Sequence, residues 1–113
     1  MDYSGPVASE NDIEGITYFD HPGNPSYPSK WHVREDGWMG ASICRDSSLN
    51  ITQQKPLQLR YLLHVHAGTA NAEKAEQIAG SFARGAWYKV IRSAAKHRQY
   101  EVERISTENS PTP

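Results

Sequence analysis

The chain has 113 residues with 12 Lys and Arg against 13 Asp and Glu, a formal charge of −1, so no global field draws it to nucleic acid or to an anionic membrane. Apolar residues make up 37%, the mean hydropathy is −0.72, and no apolar run approaches the roughly 20 residues needed to cross a bilayer. Cys44 is the one cysteine, which excludes an internal disulfide framework.

A chain of this length can bury about two thirds of its unfolded surface, enough for one soluble domain. Met1 to Glu10 lacks the basic start and apolar core of a secretory signal, and the compartment stays undetermined. Charge is uneven along the chain. Asp2, Glu10, Asp12, Glu14 and Asp20 precede the first base, Lys30, while Arg84, Lys89, Arg92, Lys96, Arg98 and Arg104 crowd the other end. Glu101 and Glu103 dilute that second cluster, so a solvated face accounts for it better than single-strand nucleic-acid binding.

Ile13 to Phe19 is rich in β-branched and aromatic residues and runs into the breaker cluster Asp20-His21-Pro22-Gly23-Asn24-Pro25, which predicts a strand entering a loop. Pro22, Pro25 and Pro28 fix three φ angles and stiffen that loop. Asp20, a short acid before Pro and Gly, is expected to cap it through its carboxylate. Trp31 to Arg34 alternates so that a strand would turn Trp31 and Val33 to the core and His32 and Arg34 to the opposite face. Trp38 to Cys44 is a further strand candidate, and Arg45 to Lys55 reads as a surface loop. Leu57 to His66 alternates most clearly, with Leu57, Leu59, Tyr61, Leu63 and Val65 predicted on the core face and Gln58, Arg60, Leu62, His64 and His66 on a mostly polar one.

Asn71 can cap a helix running to about Arg84, with Ala75, Ile78, Ala79 and Phe82 facing something apolar and Gly85 as its stop. Ala86 to Lys96 is read as a second helix with Trp87 and Ile91 on one side, the alternative being a strand through Trp87 to Ile91. Ser106 to Pro113 is too polar to offset its ordering entropy and is expected to be disordered.

Several short motifs stand in register. They are Asp2-Tyr3-Ser4-Gly5, Gly15-Ile16-Thr17-Tyr18-Phe19-Asp20-His21-Pro22-Gly23-Asn24-Pro25, Pro28, Trp31-His32-Val33-Arg34, Leu59-Arg60-Tyr61 and His66-Ala67-Gly68. Together they resemble the PmoA-like family over most of Asp2 to about Ala83. Departures fall at His64, where that family usually has an aliphatic residue, and at Ala67, where an acidic one is common. The resemblance implies part of a longer β-rich domain, a supersandwich-like β-sandwich, in a bacterial protein of carbohydrate-processing context. Residues 1–96 are read as this partial domain and 97–113 as a tail, charged and then disordered. The family's label refers to methane oxygenase, whose particulate form needs membrane spans that this sequence lacks. The fold class expected is thus mainly β with one or two C-terminal helices.

His32 and Arg34 share a face, and if their strand joins the sheet of Leu57 to His66, Arg60, His64 and His66 would complete a basic concavity. Arg offers a planar donor fork and His can donate or accept near neutral pH, which suits sugar hydroxyls or a carboxylate. The candidate catalytic residues are His32, Arg34 and His21, with His66, Arg60 and Trp31 as substrate-binding candidates. A small-molecule or carbohydrate ligand is expected, without a cofactor. His64 and His66, at i and i+2, raise a metal alternative, with His32, His21 or Asp20 as the further ligand, but no closed ligand motif is present. A noncatalytic sandwich module in which the same residues are hydrogen-bonded structurally is the other reading. Oligomeric state is not legible.

Overall fold

The computed structural model describes residues 1–7 and 9–105, apart from the side chains of residues 9–11. It is mainly β, with one helix and three small antiparallel sheets among the described residues, none closing into a barrel. The chain divides into two compact units, Met1–Ala83 and Arg84–Pro113. The tail predicted to be disordered, 106–113, lies outside the described residues.

In the first unit β1 (Asp2–Val7), β2 (Ser9–Asp20) and β5 (Tyr61–Ala67) form a sheet in the order β1-β2-β5. The β-branched and aromatic run Ile13 to Phe19 therefore lies in the later part of the central strand. β1 has Gly5 and Pro6 in its second half and little intrinsic strand preference. Register with β2, Asp2 opposite Thr17 and Tyr3 opposite Ile16, organises it instead. β5 begins at Tyr61, later than its alternation suggests, and pairs Tyr61 with Asp20 and His66 with Gly15.

Two residues pin the end of this ladder. The Asn24 side chain donates to the Arg60 carbonyl and accepts from the Arg60 N–H, both at 2.8 Å, so one amide acts as a further strand partner just beyond Tyr61. Asp20 accepts from Asn24 Nδ2 and from the Ser29 N–H, both at 2.7 Å, and so caps the loop as its sequence position suggests.

β3 (Trp31–Val33) and β4 (Met39–Ala41) form their own hairpin. Gly37 closes it at φ 85°, a conformation costly for any residue with a Cβ. Helix α1 (Ala72–Ala83) starts where Asn71 Oδ1 accepts the Lys74 N–H at 2.8 Å, the N-cap read from sequence. Ala75, Ile78, Ala79 and Phe82 are half-buried, as their spacing predicts, together with Gly80 and Ala83.

The helix settles which face of the sheet is covered. Gly68, at φ 77°, turns the chain out of β5, and its N–H donates to the Ile13 carbonyl. The short link brings α1 over the side carrying Thr17, His64 and His66. Leu63 and Val65, predicted to be core, are therefore 61% and 70% exposed. Tyr3 and Ile16, on that same outer face, are exposed too. The alternation is the predicted one and its polarity is reversed, because a helix elsewhere in the sequence decides which face is covered. Trp31 is half-buried, edge-on to Tyr18 with ring centroids 4.9 Å apart, while its expected core partner Val33 is exposed.

Among the described residues Phe19 is the one buried apolar side chain, against four buried polar ones, Thr17, His21, Asn24 and Ser29. Buried polar groups destabilise unless bonded, and no buried side-chain nitrogen or oxygen among the described residues lacks a partner.

The second unit is a hairpin of β6 (Trp87–Arg92) and β7 (Tyr100–Ile105), pairing Val90 with Val102 and Lys89 with Glu103. This corrects the second helix expected over Ala86 to Lys96. A run holding Trp, Tyr, Val and Ile favours a strand once a partner of matching alternation exists, and Tyr100-Glu101-Val102-Glu103 supplies it from a stretch read only as charged tail. Lys89 and Glu103 pair at 3.2 Å, and Arg92 lies 4.9 Å over the Tyr100 ring.

The inverted faces carry a direct test. Val65→Thr is expected to change unfolding stability by less than about 0.5 kcal/mol, as at other exposed positions, whereas Phe19→Ala is expected to cost about 3 kcal/mol. Urea unfolding of the two variants measures both.

Candidate functional site

A cleft of about 270 Å³ lies between the covered face and α1. Its floor is Thr17, His64, His66 and Ala67, its end is Thr69, and its roof is Asn71, Lys74, Ala75 and Ile78. Positions i and i+2 of a strand share a face, and the His64 and His66 rings stack nearly parallel at 15° with centroids 6.0 Å apart. The chain thus delivers two imidazoles to one cleft by alternation alone.

The floor is braced across all three strands. His66 Nε2 lies 2.9 Å from Asp2 Oδ2, and its Nδ1 lies 3.1 Å from the Gly68 carbonyl oxygen. Both ring nitrogens therefore face acceptors. Asp2 also accepts from the hydroxyls of Ser4 and Thr17. His66 belongs to β5 and Asp2 to β1, so the ring must pass over the central strand, and Gly15 stands between them. A Cβ on Gly15 would come within 2.5 Å of the His66 ring and of Ser4 Oγ. Glycine is required here by close approach rather than by backbone angle.

Burial works against ionisation of Asp2, but the hydrogen bonds from Ser4, Thr17 and His66, with the charge of His66, outweigh it and hold the carboxyl below its ordinary value. Nothing in the Asp2-Tyr3-Ser4-Gly5 motif reveals this role. The available signal is that Asp2 and Ser4 alternate, and hence share a face if the segment is a strand.

His21 and Arg60 come together away from this floor. His21 is buried, accepts the Gly23 N–H on Nδ1 at 2.9 Å, and has Arg60 Nη1 at 3.1 Å from Nε2. Phe82 of α1 packs edge-on against the His21 ring at 5.0 Å, and the Arg60 guanidinium lies 5.3 Å over the same phenyl. Burial and then the Arg60 charge lower the His21 pKa, opposed in part by the Ala83 carbonyl and the Asp20 carboxylate.

His32 and Arg34 lie apart from both groups. β3 pairs with β4 and not with β5, so the concavity expected to unite His32 and Arg34 with Arg60, His64 and His66 does not form. Both are exposed, and Arg34 pairs with Asp36 at 2.8 Å across its own turn. Trp31 packs on Tyr18, on the opposite side of the sheet from His66, so these two substrate-binding candidates do not share a cleft. Among the described residues no group of three or more His, Cys, Asp or Glu side chains is arranged to hold a metal ion. Among the described residues no helix is long and apolar enough to cross a membrane.

Fold and cleft define a small, mainly β protein whose sheet buries its polar face under one helix. The chain belongs to DUF6807, a family of unknown function, whose family model matches residues 1–80. That span holds the cleft and its Asp2–His66 brace and stops short of the β6–β7 hairpin. Neither the curated proteins nor the solved structures contain a match.

Two outcomes check the brace. A double-mutant cycle of Asp2→Asn and His66→Gln is expected to show a coupling on the order of 1–2 kcal/mol in urea unfolding, and Gly15→Ala a loss of about 1–3 kcal/mol from overpacking. The folded Asp2 carboxyl titrates below the unfolded one, so its stabilisation is complete above about pH 4 and lost as pH falls through the folded value. Thermal unfolding of Asp2→Asn between pH 5 and 2 is therefore expected to be less acid-sensitive than that of the parent chain.

Proposed function

We propose that the cleft between α1 and the sheet binds a small hydroxylated anion of the sugar-acid class. The observation that carries this reading is the lining itself, in which Lys74 and the His64 and His66 rings stand with Thr17, Thr69 and Asn71. An ammonium and imidazoles suit a carboxylate, and hydroxyl and amide groups suit the alternating donors and acceptors of a polyol. The cleft is at the small end for a ligand site, which fits one monosaccharide ring rather than an oligosaccharide.

His66 acts here as a held group. With Asp2 on one nitrogen and Gly68 on the other, it fixes the floor while His64 and Lys74 contact the ligand. The likeness of the Asp20–Arg34 region to the PmoA-like family, with its carbohydrate-processing context, agrees with this reading. For Arg34 the pair with Asp36 favours the structural, noncatalytic role.

Glucuronate, gluconate and glucose titrated into the full chain, followed by amide chemical shifts, test the proposal. The two acids are expected to perturb Thr17, His64 and Thr69 to Lys74, with glucose weaker. Lys74→Ala should weaken acid binding about tenfold or more, as expected for a lost charged hydrogen bond. Shifts centred on His32 and Arg34, or no saturable shift with either acid, contradict it.

A further inference from the structure

His21 presents an unusual accounting problem. Its Nδ1 takes the Gly23 N–H, and its Nε2 faces an Arg60 guanidinium nitrogen. A neutral imidazole has one acceptor nitrogen and one N–H, whereas the imidazolium has two donors and no acceptor. A protonated His21 would thus turn an N–H against the Gly23 N–H and set a second positive charge 3.1 Å from Arg60. The Ala83 carbonyl and then the Asp20 carboxylate oppose this only in part, and burial with the Arg60 charge prevails.

The same ring sits where three elements meet. His21 follows β2 and its N–H donates to the Arg60 carbonyl, Arg60 precedes β5, and Phe82 in the last turn of α1 contacts both side chains. The charged groups acting on the ring are Arg60, ahead of β5, and Asp20, at the end of β2. From α1 it meets the uncharged Phe82 ring and the Ala83 carbonyl.

We propose that the His21–Arg60–Phe82 junction is an acid-sensitive latch: protonation of His21 in mild acid releases the 21–29 loop and the last turn of α1 from the start of β5. The lowered pKa agrees with this geometry. Because the neutral ring is the one the fold accepts, its stabilisation is complete above about pH 6.5 and lost as pH falls through the folded value. That window lies above the one set by Asp2, so the two effects separate on the pH axis. The latch concerns the far end of the helix that roofs the cleft and does not depend on what the cleft binds.

Amide hydrogen exchange of the full chain from pH 7.5 to 5, corrected for intrinsic exchange, tests the latch. Protection of the Asn24, Ser29 and Arg60 amides is expected to fall below about pH 6.5 by up to about tenfold per pH unit, while amides of the β1–β2 ladder hold. His21→Asn, which keeps a side-chain acceptor for Gly23 and does not titrate, should flatten the dependence. Protection that stays constant in the parent chain, or falls with the same slope in His21→Asn, overturns the proposal. If that variant does not fold, the parent chain still decides the question by NMR. The His21 ring resonances must then titrate together with those of the Phe82 ring, and an imidazolium that forms while Phe82 and the loop amides stay unchanged overturns it.

Discussion

One carboxamide holds the end of the principal sheet. Asn24 bonds both backbone groups of Arg60, the donor and the acceptor a neighbouring strand would have used. Its own second amide hydrogen goes to Asp20, which also holds the Ser29 N–H. A proline-rich loop cannot continue a β ladder, because proline lacks the N–H and restricts its neighbour. Past the one long bond from the His21 N–H to the Arg60 carbonyl, the Asn24 side chain continues it instead. From that substitution follow the position of Arg60, the seat of His21 against it, and the place where Phe82 closes the helix down.

The unit is correspondingly short of apolar interior. A small domain with one buried apolar side chain among its described residues cannot draw much stability from burial. It depends instead on a few polar groups whose loss leaves donors and acceptors stranded, which costs more than forming the bond contributes. The Asp2–His66 brace obeys the same rule at the other end of the sheet. It spans three strands because Gly15 leaves room, and it fixes the floor of the cleft. The polar residues expected at a binding site thus divide: His21 and Arg60 hold the fold, His66 both braces the sheet and floors the cleft, His64 lines the cleft, and His32 and Arg34 stand apart.

Features governed by neighbours in sequence were legible. The alternation around Val65, the shared face of His64 and His66, the Asn71 cap and the capping carboxylate of Asp20 each depend on spacings of a few residues. Features set at a distance were not. Which face of β5 is buried depends on where α1 lands, and the partner of His66 lies 64 residues away. β1 was hidden by Gly5 and Pro6, whose local preference opposes the strand that register imposes. The β6–β7 hairpin needed both halves to be read together. Trp87 to Ile91 alone fits a helix or a strand, and Tyr100 to Ile105 alternates beneath a charge pattern that suggests a solvated tail.

A buried amide, more than an apolar core, secures the first unit, and Asn24→Ala tests this most directly. Urea unfolding of the full chain should show a loss of about 2 kcal/mol, since the Arg60 N–H and the Asp20 carboxylate would each lose a partner while the Arg60 carbonyl keeps only the longer bond from the His21 N–H. A change below about 0.5 kcal/mol, the size expected at an ordinary surface position, would contradict the account.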